Sequence, residues 1–375
     1  MWSVLFLAFL LLVPLVVATA TAQQPASAAG GLPHPDDWDL PLSSCCALLA
    51  KPVALAACVN TSNAASLSQR LRNAAPYTAG GPRAQLKQGP ALAVTIVSRA
   101  TKEVYSWAAH ALLIQAAYAQ AHGYAALPLY ADERYALTYG GDYTYHRKLS
   151  LVLATLEGGV LAATAASDYV VWWDADAAPL HLHRRVEALA AGYPEAHVLL
   201  SADAAAAANT GVFVVRNTLW ARRFLRHWLS LHTSHDTDQH GFSAACRQWA
   251  AEGEPVGTRV RLLPTWELNS EAPALSMQQP GHPVLHLAAE SAAFRGAVLL
   301  QGARTVCAAM PASSAAAAAA TSDGAGAAGA GEGEGERAWL ARLPPQLSLT
   351  QPRLLAIARD VYRAESRRRL QALQR

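Results

Sequence analysis

Asp174 and Asp176 stand two residues apart immediately after Tyr169-Val170-Val171-Trp172-Trp173, a β-branched and aromatic run. Such a run reads as a buried strand, and its abrupt end in two carboxylates delivers both acids to the strand's C-terminal edge. That edge is where open α/β sheets bind ligands. Two acids at i and i+2, where the chain turns into a loop, can face one hard cation, and a cation in turn can hold a diphosphate. Spacing alone says little, because Asp-x-Asp occurs three times. Asp37-Trp38-Asp39 falls in a Pro-rich stretch, and Asp236-Thr237-Asp238 in a His-rich turn after a helix. Only Asp174 and Asp176 follow a strong strand, where neighbouring carboxylates repel unless a cation or donor relieves them.

The elements that must position these acids follow from the pattern around them. Residues 91–98 form a near-continuous apolar run suited to a central parallel strand. A helix over 103–122 comes next, with Gly123 placed to stop it, and 124–130 reads as a second strand, giving a βαβ unit. A polar, tyrosine-rich loop then leads to a helix over 148–157, closed by Gly158-Gly159. After the acids, strands are expected at 196–201 and in Asn209–Asn217, where an Asn-x-Gly turn lets backbone approach a ligand closely. Helices are expected over 219–231 and 242–251, and late strands at 260–263 and 284–287, the last containing His286. The class is α/β.

Composition bounds the rest. A chain of 375 residues with 52% hydrophobic and 15% charged residues buries a large core, and a net charge of +3 without a basic stripe argues against nucleic acid as a partner. Residues 1–22 hold an uncharged apolar run, Trp2 to Val17, followed by small-x-small patterns at Ala18–Ala22. This is either a cleaved secretory signal or an uncleaved type II membrane anchor, and in both cases the folded part enters the secretory lumen. Residues 23–88, rich in Pro, Gly, Ser and Ala, read as a stem with one short helix at most. Cys45 or Cys46 can close a loop with Cys58, and a total of five cysteines leaves at least one unpaired. Asn60-Thr61-Ser62 is a sequon that fits luminal passage. The catalytic region spans 89–310, a disordered Ala/Gly/Glu linker 311–338, and a basic amphipathic helix 339–375.

Four blocks occur in order: Tyr169-Val-Val-Trp-Trp-Asp-Ala-Asp176, Asn209-Thr-Gly-Val-Phe-Val-Val-Arg-Asn217, Asp238-Gln239 and Val284-Leu-His-Leu287. Over roughly residues 90–300 the chain resembles the galactosyl, mannosyl and xylosyl transferases of glycosyltransferase family 34. The resemblance implies a GT-A fold, a Rossmann-like mixed sheet flanked by helices in a single catalytic domain, and a place in the Golgi or elsewhere in the secretory lumen. It implies a nucleotide-sugar donor, a glycan or glycoprotein acceptor, and transfer of a hexose or pentose with retention. It also implies Mn²⁺ (or Mg²⁺) held by Asp174, Asp176 and His286, a sugar site shaped by Asn209 and Gly211, and Asp238 and Gln239 near the reacting centre.

One departure stands out. The family commonly continues from its late histidine through Gly-Cys-Lys, whereas this chain reads His286-Leu-Ala-Ala-Glu290-Ser291, without the lysine that would touch phosphate. Arg295 replaces it only if the backbone turns inward there. Lys148 and Arg147 are further candidates for anion contact. The cluster of His232, His235, Asp236, Asp238 and His240 has a zinc reading, and Trp266 a sugar-stacking one. The alternatives to a family 34 enzyme are a neighbouring nucleotide-sugar transferase and a catalytically silent, glycan-binding or scaffolding relative, an idea the absent lysine feeds.

Overall fold

Every residue of Tyr169–Trp173 is buried, as a strand covered on both faces requires, and the sheet extends to either side of it. The computed structural model describes residues 42–60, 62, 94–100, 104–130, 145–157, 167–203, 208–233, 237–269, 284–288, 290–310 and 360. The chain divides into Met1–Asp36 and Asp37–Arg375, and the described residues all belong to the second unit. The expectations for residues 1–22, the linker 311–338, the terminal helix apart from Asp360, and the pair Asp37 and Asp39 lie outside the described residues.

β1 (Val94–Ala100) leads into α1 (Tyr105–His122), and β2 (Ala125–Tyr130) returns parallel to β1. Gly123 ends α1 at a φ of 70°, a left-handed conformation that costs glycine no Cβ clash. In chain order α2 (Arg147–Glu157), β3 (Tyr169–Trp173), β4 (Ala177–Pro179), α3 (Val186–Ala191), β5 (Val198–Ser201) and β6 (Asn209–Arg216) follow. Then come α4 (Leu219–Ser230), α5 (Asp238–Ala251), α6 (Val256–Arg259), β7 (Val260–Leu263), β8 (Val284–His286) and α7 (Ala292–Ala309). The main sheet has the order β2-β1-β3-β6-β5-β7, and β6 alone runs against the other five strands. This is the expected α/β class, a mixed sheet flanked by helices.

Alternation along β3 sends Val171 and Trp173 to the face covered by α1 and α7, and Val170 and Trp172 to the face covered by α2, α4 and α5. α4 shows how the second face closes: Ala221, Phe224, Leu225, Trp228 and Leu229 form one buried stripe at helical spacing. Each of its large side chains contributes about 1.5–3 kcal/mol by leaving water. Because β5 and β7 run with β3, their C-terminal ends meet Asp174 at one edge of the sheet, and β6 starts at that same edge with Asn209.

Four features differ from the sequence reading. β4 has only three residues and exists through antiparallel pairing with β8, which sets Ala177 opposite His286. α7 is an Ala-rich helix packed on α1, with no strong periodic stripe to announce it. Within the stretch assigned to the stem, residues 42–48 and 52–60 are helical; Cys45–Cys58 closes this segment and Cys46–Cys307 fastens it to α7. Cys246 is a free, half-buried thiol. α5 starts at Asp238 rather than Phe242, because the Thr237 side chain accepts a hydrogen bond from His240 N at 3.3 Å and caps it. No helix among the described residues is long and apolar enough to cross a membrane.

Candidate active site

The pairing of β4 with β8 brings His286 across from the acids that end β3. His286 Nε2 lies 3.3 Å from Asp176 Oδ1 and 3.7 Å from Asp174 Oδ2. Asp174 is fixed from three sides: its N–H donates to Gly211 O at 2.7 Å, Trp172 Nε1 donates to its Oδ1 at 2.6 Å, and Gln115 Nε2 donates to its carbonyl at 3.3 Å. The imidazole of His286 packs against Gly211, where a Cβ would collide with Cε1 and stand 2.6 Å from Nε2. Asn209-Thr210-Gly211 is the start of β6 rather than a turn before it; Gly211 serves the histidine directly, and Asn209 Oδ1 accepts from Gly211 N at 2.9 Å.

Lys148, near the start of α2, is a buried cation. Its Nζ lies 3.1 Å from Asp174 Oδ1, 3.0 Å from Asp238 Oδ2 and 3.2 Å from Thr210 O, which uses all three ammonium donors. Burial pushes its pKa down, but the charges of Asp174 and Asp238 outweigh that and hold it above its ordinary value. Asp238 does not cap α5, since Thr237 does; Thr210 Oγ1 donates to its Oδ2 and it faces Lys148. Next to it Gln239 Nε2 donates to Asp203 Oδ2 at 2.9 Å, and Asn209 Nδ2 lies 3.4 Å from the same oxygen.

On the other side of Asp176, Arg295 turns inward. Its Nε lies 3.3 Å from Asp176 Oδ2 and donates to Leu287 O at 2.9 Å, and its guanidinium lies 5.0 Å from the centre of the Trp107 ring. A cation thus stands beside the acids although the lysine after His286 is absent. Burial pushes the Asp176 carboxyl up, but the hydrogen bond and charge of His286, with Arg295, hold it below the usual carboxylate range. Burial likewise pushes His286 down, and Asp176 overrides it and raises the imidazole above its ordinary value.

Asp174, Asp176, His286, Lys148, Asp238, Gln239, Asn209, Gly211 and Arg295 are therefore all brought to one edge of the sheet. Of the histidine cluster, His235 and Asp236 lie outside the described residues, and His232 Nδ1 sits 2.9 Å from Leu229 O. Trp172 and Trp173 are buried, and Trp266 is 50% exposed. Sequence reasoning missed Asn269, which is fully buried with Nδ2 at 3.5 Å from His286 Nδ1 and with Oδ1 unpartnered among the described residues. It also missed Asp203 as the acceptor for Gln239. A lone Asn after a short turn carries no signal in sequence; an Asp after an expected strand carries a weak one.

The donor set suits a divalent cation. One atom from each of Asp174, Asp176 and His286 fits within 4.8 Å of the others, and two carboxylate oxygens with one imidazole nitrogen match hard to borderline ions such as Mn²⁺ or Mg²⁺. The glycine at 211 clears the room the imidazole needs. The acids Asp174, Asp176 and Asp238 face the two cations Lys148 and Arg295.

Residues 147–283, which run from α2 and Lys148 through β3, β6 and α5, match the family described as nucleotide-diphospho-sugar transferase. The match bears out the nucleotide-sugar transferase resemblance; His286 and Arg295 lie beyond its end and are placed by the geometry alone. Among solved structures, a glycosyltransferase involved in the glycosylation of the major capsid of PBCV-1 is similar at 16% identity, covering 55% of this chain and 98% of that one with a TM-score of 0.45. No curated protein matches the chain.

Proposed function

We propose that this chain is a glycosyltransferase that moves a hexose or pentose from a nucleoside diphosphate sugar to a glycan or glycoprotein acceptor, with retention and with Mn²⁺ or Mg²⁺ as cofactor. The observation that carries the reading is the convergence of Asp174, Asp176 and His286 beside Asp238 and Gln239 at the C-terminal edge of the sheet. A bound divalent ion supplies Lewis acidity that neutralises the charge developing on the leaving diphosphate. The chain's own residues do the rest. Asp176 and His286 are the principal ligands, with Asp174 a ligand or a ribose or water contact. Arg295 adds fixed positive charge where the lysine is absent, which speaks against a catalytically silent relative. Lys148 holds Asp174 and Asp238 in place rather than reaching for phosphate. The amides of Asn209 and Gln239, steadied by Asp203, line the sugar side, and Asp238 is the best candidate for a group near the anomeric carbon. The chain works in the secretory lumen, as a secreted or type II membrane-anchored protein.

The test is hydrolysis of a panel of nucleotide sugars by the full chain with and without Mn²⁺. Metal-dependent turnover of at least one donor, abolished in Asp176→Asn, is expected. Tight glycan binding without metal-dependent turnover of any donor overturns the reading.

A further inference from the structure

Asn269 sits two residues beyond the turn Thr265–Glu267 that follows β7, fully buried, with its amide against the face of His286 that points away from the acids. Nδ2 faces His286 Nδ1 at 3.5 Å and Nε2 faces Asp176 Oδ1 at 3.3 Å; with the amide in this orientation Nδ1 accepts, and a neutral ring carries its proton on Nε2. That tautomer cannot ligate a cation through Nε2, because the lone pair there is occupied by the proton. Ligation needs the proton on Nδ1, and a proton on Nδ1 in a dry site needs an acceptor. Asn269 Oδ1 is buried, within the same amide, and without a hydrogen-bond partner among the described residues. A half-turn of the amide exchanges Oδ1 and Nδ2 without changing the side chain's shape. It places the oxygen against Nδ1 and leaves the number of unpartnered amide atoms unchanged.

We infer that Asn269 is a positioning residue for the metal centre: its amide turns over with the tautomer of His286, accepting Nδ1–H when Nε2 takes the cation. The inference rests on the Asp174, Asp176 and His286 centre proposed above and names what sets its third ligand. An orphaned polar atom in a core is otherwise a plain cost, about 1–3 kcal/mol. Here it has a use in the second of two states.

The test uses the full chain with Mn²⁺ alone as probe, followed by titration calorimetry. Asn269→Leu, which keeps the volume and removes the acceptor, is expected to weaken Mn²⁺ binding about 10–100-fold. Asn269→Asp, which presents an oxygen in either orientation, is expected to bind within about threefold of the parent or more tightly. A separate measurement needs no variant: ¹⁵N-histidine NMR of the parent, with diamagnetic Mg²⁺ added, is expected to show the His286 proton moving from Nε2 to Nδ1. Parent-like affinity in Asn269→Leu, equal losses in both variants, or a ring proton that stays on Nε2 with metal bound overturns the inference while leaving the metal centre standing. A parent chain that binds no Mn²⁺ overturns both.

Discussion

The bare Cα of Gly211 and the imidazole of His286 occupy each other's space: a methyl group on Gly211 would overlap Cε1 and crowd Nδ1 to 2.8 Å. Gly211→Ala should therefore push the ring away from Asp176, even though the backbone at 211 needs no unusual conformation. A fall in Mn²⁺ affinity of at least tenfold, about 1.4 kcal/mol, is expected. His286→Ala should match it. Titration calorimetry decides; affinity unchanged in both variants removes the histidine from the ligand set.

Lys148 is the only cation within reach of Asp238 among the described residues, and it holds Asp174 as well. Lys148→Met leaves the two carboxylates without the cation they share, a loss of about 3–5 kcal/mol for a buried ion group that forfeits its partner. Urea denaturation measures it. Adding Asp238→Asn to the same chain should recover a good part of the loss; an additive double variant would show that the two residues are not coupled.

His197 gives the protein an acid-sensitive point away from the site. Its ring sits between Thr218 Oγ1 at 2.9 Å from Nδ1 and Arg259 Nη1 at 2.7 Å from Nε2, which suits a neutral imidazole with its proton on Nδ1. Burial first, then the charges of Arg259 and Arg216, push its pKa down to about 4. The unfolded ring takes its proton near pH 6.5, so between there and pH 4 the unfolded state binds more protons. Stability should be constant in this respect above about pH 7 and fall as pH drops through that window. Because the ring is partly exposed, the loss is about 1–2 kcal/mol. His197→Gln should flatten that part of the stability curve in denaturation experiments run across pH 4–7.

The two cross-links differ in what they close. Cys45–Cys58 spans 13 residues and Cys46–Cys307 spans 261. Loop-closure entropy assigns them about 3 and about 5.6 kcal/mol. Replacing Cys46 and Cys307 with Ser should lower the melting temperature more than replacing Cys45 and Cys58, as read by calorimetry. In denaturant, thiol titration of the parent should find one reactive group, Cys246.

Much of the fold was legible because local pattern and tertiary role agree. The run Tyr169–Trp173 is β-branched, aromatic and buried on both faces, so its strand bounds were met to the residue. Gly123 stops α1 for the same local reason. β4 was not legible: Ala177-Ala178-Pro179 has no strand character, and only β8 makes it one. Nor was α7, where alanine masks the stripe formed by Phe294, Val298, Leu299 and Val306. In the site, the acids stood out through residue type and strand context, and the histidine only through its place in the ordered blocks that carry the resemblance. Lys148 did so only as a cation near a helix start, and its role as a bridge between Asp174 and Asp238 depends on two contacts far apart in sequence. Asn269 depends on one, and an isolated asparagine offers nothing to read.

The neighbours Cys45 and Cys46 have consequences in time as well as in space. Synthesis at about 5–20 residues per second brings Cys58 within about 1–3 s of Cys45, whereas Cys46 waits roughly 13–50 s for Cys307. Through that interval two adjacent thiols compete for one partner, and the wrong winner strands the other. Only when α7 emerges can Cys46 be matched, and α7 is also the element that carries Arg295 to Asp176. α7 thus both completes the charge around the acids and clamps a segment made far earlier in synthesis.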